Sequence, residues 1–175
     1  MADRRRASRA KPWLRLAAGV GLTAFAVLLA AAPWPFSLSA LAPAATAHAA
    51  VFDWSLRRPS ALPGVGAFAI GLLLDVISGP IFGLGALTCV LAHFSAAAQR
   101  RFLAPRGVGH AWLGLALTAV AIAAFGWIAA SAYMVAIQPV GPTLAQAALT
   151  IALYPPIAIA FGLVRAGFDL GARRA

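Results

Sequence analysis

Long apolar runs, separated by short connections that contain proline, glycine or arginine, make up most of this chain. An α-helix crosses the apolar core of a bilayer with about 20 residues, at about 1.5 Å per residue. Four runs have about that length: 14–32, 81–98, 110–133 and 143–164. Two weaker runs, 37–52 and 61–77, are shorter and carry polar side chains, among them Asp75. The pattern therefore predicts four clear and two weaker membrane-spanning helices.

The composition favours a membrane protein and excludes a soluble globular core. Hydrophobic residues make up 62% of the 175 positions and charged residues 10%, with a mean hydropathy of +0.88. A soluble domain is nearer to about half apolar and about a quarter charged. The net charge of +10 would suggest a nucleic-acid partner for a soluble protein. Here the basic residues lie in short clusters between apolar runs, which is the membrane pattern, so no nucleic acid is expected.

The distribution of the 14 Lys and Arg residues favours six passes. With six passes, all of them fall on one side: in the N-terminus, at Arg57 and Arg58, at 100–106 and in the C-terminus. If both weak runs fail to span, Arg57 and Arg58 fall on the opposite side. Because cytoplasmic connections carry the excess of basic residues, both termini are predicted to be cytoplasmic. The expected organisation is a basic N-terminus (1–13), a six-helix membrane domain (14–164) and a basic C-terminus (165–175).

One carboxylate sits in an apolar stretch punctuated by glycines, GLLLDVISGPIFGLGAL at 71–87. Four residues of this stretch follow one another at intervals of four positions: Gly71, Asp75, Gly79 and Gly83. Helical rise places Asp75 in the outer half of the third pass, where an ionised carboxylate is costly unless it faces the bundle interior, a partner or water. At Gly71, one turn earlier, the missing side chain lets another helix approach. The stretch predicts a tight helical hairpin with one structural carboxylate near its tip, which Asn should be able to replace.

Together with the preceding FDWSLRRPSALPG at 52–64, this stretch resembles the signature of the MreD family of bacterial rod-shape-determining membrane proteins. The positions that match the family pattern are Trp54, Arg58, Pro59, Gly71, Leu72, Asp75, Gly79, Gly83, Ala86 and Leu87. The chain departs from the pattern at Asp53, where an aromatic residue is more usual, and at Phe82, where leucine is. We interpret residues 54–59 as a loop at the inner boundary, with Trp54 in the interfacial aromatic belt.

The resemblance implies a non-enzymatic scaffold of the cell-elongation machinery, without cofactors, in the bacterial inner membrane. It would support lateral peptidoglycan synthesis and rod shape. The implied partners are MreC above all, then MreB, the glycosyltransferase RodA and a penicillin-binding transpeptidase, directly or indirectly, together with membrane lipid. A distant similarity of such proteins to the substrate-binding subunits of vitamin transporters would imply a compact six-helix bundle. As packing or partner-docking candidates we take Trp54, Arg58, Pro59, Gly71, Asp75, Gly79 and Gly83.

Other chemistries fit the residues less well, and one alternative stays open. An intramembrane aspartyl protease needs two carboxylates in one site. The other three aspartates fall at or outside the predicted inner boundary, far from Asp75: Asp3, Asp53 and Asp169. His93 and Ser95 are too close in sequence to share a helix face, and one cysteine with scattered histidines gives no metal-site spacing. The open alternative is the substrate-binding membrane subunit of a small-solute, vitamin-like transporter, although these spans offer few polar side chains.

Overall fold

The computed structural model describes residues 12–32, 39–78 and 81–174, which form a bundle of α-helices without strands. The helices are α1 (Pro12–Ala30), α2 (Ala42–Arg57), α3 (Gly64–Ser78), α4 (Leu84–Leu103), α5 (Gly107–Tyr133) and α6 (Val140–Arg174). A 3-10 segment, Ser39–Leu41, precedes α2, and another, Ala104–Arg106, joins α4 to α5 so that Leu84–Tyr133 is helical without a break. The predicted all-α architecture is confirmed for these residues.

Helix α2 begins and ends later than the run 37–52 that predicts it. Pro43 lies in its first turn, where a missing N–H is tolerated because the first amides of a helix have no intrahelical acceptor. The helix then continues to Arg57, and the N–H of Arg58 closes its last turn on the Trp54 carbonyl at 2.7 Å. The interpretation of residues 54–59 as a loop is therefore wrong for 54–57, which are helical, and right only for the turn after Arg57.

Helix α2 is the centre of the bundle and contacts all five other helices. Every residue from Ala45 to Leu56 is buried, and the many alanines among them let neighbouring backbones approach closely. Its buried polar side chains are Thr46, His48, Asp53 and Ser55. Polar groups of this kind inside a membrane domain face the bundle interior. The run that encodes α2 is weak in hydropathy because the helix is surrounded by protein instead of lipid.

Two clusters of buried apolar side chains hold the other helices against α2. The first consists mainly of residues from α1 to α4, among them Val27 and Ile70, and also includes Ile122 of α5 and Phe161 of α6. The second joins α2 to α4, α5 and α6 and includes Phe52, Leu115 and Tyr154. The rings of Phe52 and Tyr154 meet edge to face, with centroids 6.1 Å apart, which is a favourable geometry for aromatic pairs.

The outward faces of the bundle are apolar, which indicates lipid as the surrounding solvent. On α5 alone, Leu113, Leu117, Val120 and Ile128 are each more than half exposed, and soluble monomers rarely expose large contiguous surfaces of this kind. Two helical stretches of the described residues, Leu84–Tyr133 and Val140–Ala166, are long and apolar enough to cross a membrane. These features fit a helical membrane protein, while the number of passes and the side of the termini stay predictions.

Candidate functional site

The side chain of Asp75, near the end of α3, caps the N-terminus of α4. Its Oδ2 accepts hydrogen bonds from the N–H groups of Gly83 (2.9 Å) and Ala86 (3.1 Å). Its Oδ1 accepts one from the N–H of Gly85 at 2.7 Å. The first amides of a helix have no intrahelical acceptor and carry partial positive charge, so a carboxylate there is stabilised both by hydrogen bonds and by the helix dipole. Asp75 is only 4% exposed and faces the interior of the bundle.

Three glycines permit this hairpin, for two different reasons. At Gly71 an added Cβ would lie 2.3 Å from the Cα of Ala86, so only glycine lets the α3 and α4 backbones meet. At Gly85 an added Cβ would lie 2.5 Å from Asp75 Oδ1, so the missing side chain leaves room for the carboxylate. Gly83 has φ +96°, a left-handed conformation that glycine adopts without a Cβ clash. Space is therefore the requirement at two positions and backbone conformation at the third.

This arrangement can hold two helices together. A carboxylate has about four lone-pair positions, and the backbone amides of Gly83, Gly85 and Ala86 occupy three of those on Asp75. No other carboxylate, histidine or cysteine side chain is hydrogen-bonded to it in the described part of the chain. Asp75 therefore joins the end of α3 to the start of α4 through bonds that the chain makes with itself.

A second buried carboxylate, Asp53, joins α2 to α6. Its Oδ2 accepts from Arg165 Nη1 at 2.5 Å, and its Oδ1 accepts from Arg57 Nε at 2.8 Å and from the Tyr154 hydroxyl at 3.2 Å. These donors compensate the desolvation of a side chain with no exposed surface. The sequence predicts Asp53 at or outside the inner membrane boundary, and the structure adds that protein encloses its side chain. Arg165, the first residue of the predicted C-terminal segment, lies within α6 and belongs to this bundle core.

Trp54 also packs inside the bundle. It is 3% exposed, and its ring centroid lies 5.5 Å from that of Phe161. The guanidinium carbon of Arg165 lies 5.5 Å from the Trp54 ring centroid, within cation–π range. An interfacial tryptophan would present its ring to the lipid head groups. The assignment of Trp54 to the aromatic belt is therefore wrong, because the ring is covered by α6.

Two hydrogen bonds that the sequence did not predict connect α2 to α4. His48 Nε2 lies 3.0 Å from Thr88 Oγ1, and Ser55 Oγ lies 2.8 Å from His93 Nδ1. Ser55 has no exposed surface, and its contact with His93 is a partly buried bond that joins the two helices. The seven-residue spacing of His48 and Ser55 places them on one face of α2, and this was the only sequence signal available for either pair.

A cavity of about 360 Å³ lies beside the Asp75 cap, at the end of the bundle where α3 ends and α6 begins. Its walls are mostly apolar, and its polar side chains include His48, Asp75, Thr88 and Gln146. The Gln146 amide fits between the Leu41 carbonyl and the Ala45 N–H, at 3.1 and 2.8 Å. Most of these polar groups are therefore already bonded within the chain.

The structure places the predicted candidates in two separate groups. Gly71, Asp75 and Gly83 meet at the junction of α3 and α4. The second group lies at the C-terminal end of α2. Trp54 is in the helix, and Arg58 and Pro59 are half-buried in the turn that follows it. Gly79 lies outside the described residues. Within those residues, no group of three or more His, Cys, Asp or Glu side chains is placed to hold a metal ion.

Comparison with known proteins identifies one family. A family model described as rod shape-determining protein MreD matches residues 12–164 of the 175-residue chain. The matched range includes α1 to α5 completely and most of α6. Searches of curated proteins and of solved structures gave no significant match.

Proposed function

Because the chain belongs to the MreD family of rod shape-determining membrane proteins, we propose that it is a non-enzymatic scaffold of the cell-elongation machinery. In this role it supports lateral peptidoglycan synthesis and rod shape through MreC and the associated synthases. RodA, a penicillin-binding transpeptidase and MreB are its further partners, directly or indirectly. It lies in the bacterial inner membrane with six passes and with both termini in the cytoplasm.

The observation that carries this proposal is the extent of the family match, which covers α1 to α5 and most of α6 instead of a single motif. The buried polar contacts support a structural role. The two buried carboxylates, Asp53 and Asp75, accept hydrogen bonds from groups of their own chain. The outward apolar faces are available for lipid or for another membrane helix, which would associate by van der Waals packing.

Co-purification with MreC tests the proposal. The full chain, tagged at its C-terminus, is extracted from membranes in mild detergent and captured, and MreC should be recovered with it. A multi-pass membrane protein of similar size, carrying the same tag at the same level, is the matched control and should not recover MreC. Recovery of MreC with both proteins, or with neither, would contradict the proposed scaffold role.

The second candidate function, a substrate-binding subunit of a small-solute transporter, is favoured by one observation. The cavity of about 360 Å³ is large enough for a small molecule. Its mostly apolar walls suit a polar solute poorly, which is why we place the scaffold first. Saturable uptake of a solute that depends on this chain, together with normal rod shape after its loss, would favour the transporter function.

A further inference from the structure

The cavity beside Asp75 has the size and the lining of a small-molecule site. Its volume of about 360 Å³ falls in the range of roughly 300–1,000 Å³ that is usual for ligand pockets, whose walls are mainly apolar with a few polar groups. Leu41, Leu74, Leu84 and Ile122 contribute to the apolar walls. A ligand here would therefore have a largely apolar body.

His48 brings a hydrogen-bond acceptor without a partner to this cavity. Thr88 Oγ1 donates its only proton to the Gly85 carbonyl, at 3.0 Å. Both contacts of Thr88 are satisfied together when its oxygen accepts from His48 Nε2, which lies 3.0 Å away. In the neutral imidazole this tautomer leaves Nδ1 as an acceptor. Nδ1 makes no hydrogen bond to the described residues, although His48 lines the cavity and is only 7% exposed.

Nδ1 is left without a donor from the described part of the chain. Buried polar side chains in proteins nearly always have a hydrogen-bond partner, and those that lack one inside the protein find it in water or in a ligand. The neighbouring apolar walls make a ligand with its own donor the better match, because the same molecule can cover those walls and satisfy Nδ1.

The charges around the cavity indicate which ligand head group would be favoured there. The described residues that line it include one carboxylate, Asp75, and no Lys or Arg. Asp75 Oδ1 accepts one amide, from Gly85, and so keeps a further lone pair. An anionic head group would meet this carboxylate without a Lys or Arg side chain among the described lining residues to offset the repulsion in a low-dielectric site. A cationic head group is attracted by it.

We propose that the cavity binds a small amphiphile with one alkyl chain and a primary ammonium head group, and that the head group donates a hydrogen bond to His48 Nδ1. The apolar walls cover the alkyl chain, and Asp75 supplies the favourable negative potential. The site is built within one chain and does not depend on the scaffold role, so a failure to bind the amphiphile would leave the recovery of MreC unaffected.

Binding of n-octylamine to the full chain in lipid nanodiscs tests this site, with n-octanoate as the probe of equal chain length and opposite charge. The chain has three histidines, so the Nδ1 resonance of His48 can be identified in ¹⁵N-histidine-labelled protein. At pH 7 octylamine should shift this resonance saturably and leave those of His93 and His110 in place. Octanoate should act at least tenfold more weakly. Equal responses to the two probes, or no response to octylamine, would overturn the proposal.

Ala123 and Ala124, adjacent on α5, provide a matched pair of variants. Ala123 lines the cavity, whereas Ala124 is exposed on the outward face. Ala123→Phe should fill the cavity and weaken octylamine binding at least tenfold, and Ala124→Phe should leave it unchanged. Equal loss in both variants, or no loss in either, would overturn the proposal. If Ala123→Phe does not fold, the smaller Ala123→Leu replaces it, and the resonance of the unaltered chain gives an independent result.

Discussion

Replacement of Asp75 by alanine should destabilise the protein by about 3 kcal/mol, because it removes the acceptor of three backbone amides at once. The Ala86 N–H is buried, and a buried donor without a partner costs about 1–3 kcal/mol. The N–H groups of Gly83 and Gly85 are partly buried. We count their loss as that of a helix cap, about 1 kcal/mol.

Asparagine at position 75 should have an intermediate effect. Its single oxygen can replace Oδ2 and keep the bonds from Gly83 and Ala86. Its NH₂ group would then face the N–H of Gly85, so that two donors oppose each other. The expected loss is about 1–2 kcal/mol, the cost of one unsatisfied donor.

The free energy of unfolding, measured in mixed detergent micelles by circular dichroism during titration with dodecyl sulfate, checks both values. Ser78→Ala is the matched control, because Ser78 lies one turn further along α3 and is exposed; it should change the free energy by less than about 0.5 kcal/mol. The free energy of unfolding should be lowest for Asp75→Ala, intermediate for Asp75→Asn and highest for the wild-type chain. An Asp75→Ala variant as stable as the Ser78→Ala control would refute the capping role.

Gly71→Leu should lower the free energy of unfolding by about 3 kcal/mol, since even a Cβ would lie 2.3 Å from the Ala86 Cα. Gly21→Leu, with nothing within 4 Å, is its control, and equal effects would contradict the close contact of α3 with α4. Asp53→Ala should cost about 3–5 kcal/mol because it leaves Arg165 unpaired. A double-mutant cycle with Arg165→Met that shows simple additivity would contradict this pairing. Topology reporters fused at Arg101 should report the cytoplasm, and a periplasmic signal there would exclude six passes.

The hairpin could be predicted from sequence because its signals are local. Gly71 and Asp75 lie one helical turn apart, and the glycines that follow them interrupt the helix before the next apolar run. The partners of Asp75 could not be predicted in the same way. No side chain of opposite charge is near it in sequence, so the pattern predicts that Asn is tolerated. Its partners are the backbone amides of Gly83, Gly85 and Ala86, which no residue pattern displays. Because the single oxygen of asparagine cannot accept from all three, we expect a measurable loss of stability.

The position of α2 and the environment of Asp53 could be predicted only in part. Asp53 and Arg57 have the spacing of an ion pair on one helix face, which indicates that the helix extends through Arg57. The other partners, Tyr154 and Arg165, are 101 and 112 positions away. A hydropathy profile treats a polar residue as the end of a span. It cannot show that a distant arginine compensates the charge inside the bundle.

Controlled depletion of this protein in a rod-shaped bacterial host, scored by microscopy of cell shape, tests the proposed scaffold role most directly. If the protein supports lateral wall synthesis, the rods should round into spheres or swollen cells as it is lost, and the wild-type chain supplied in trans should restore them. Normal rods that persist after complete loss of the protein would contradict that role.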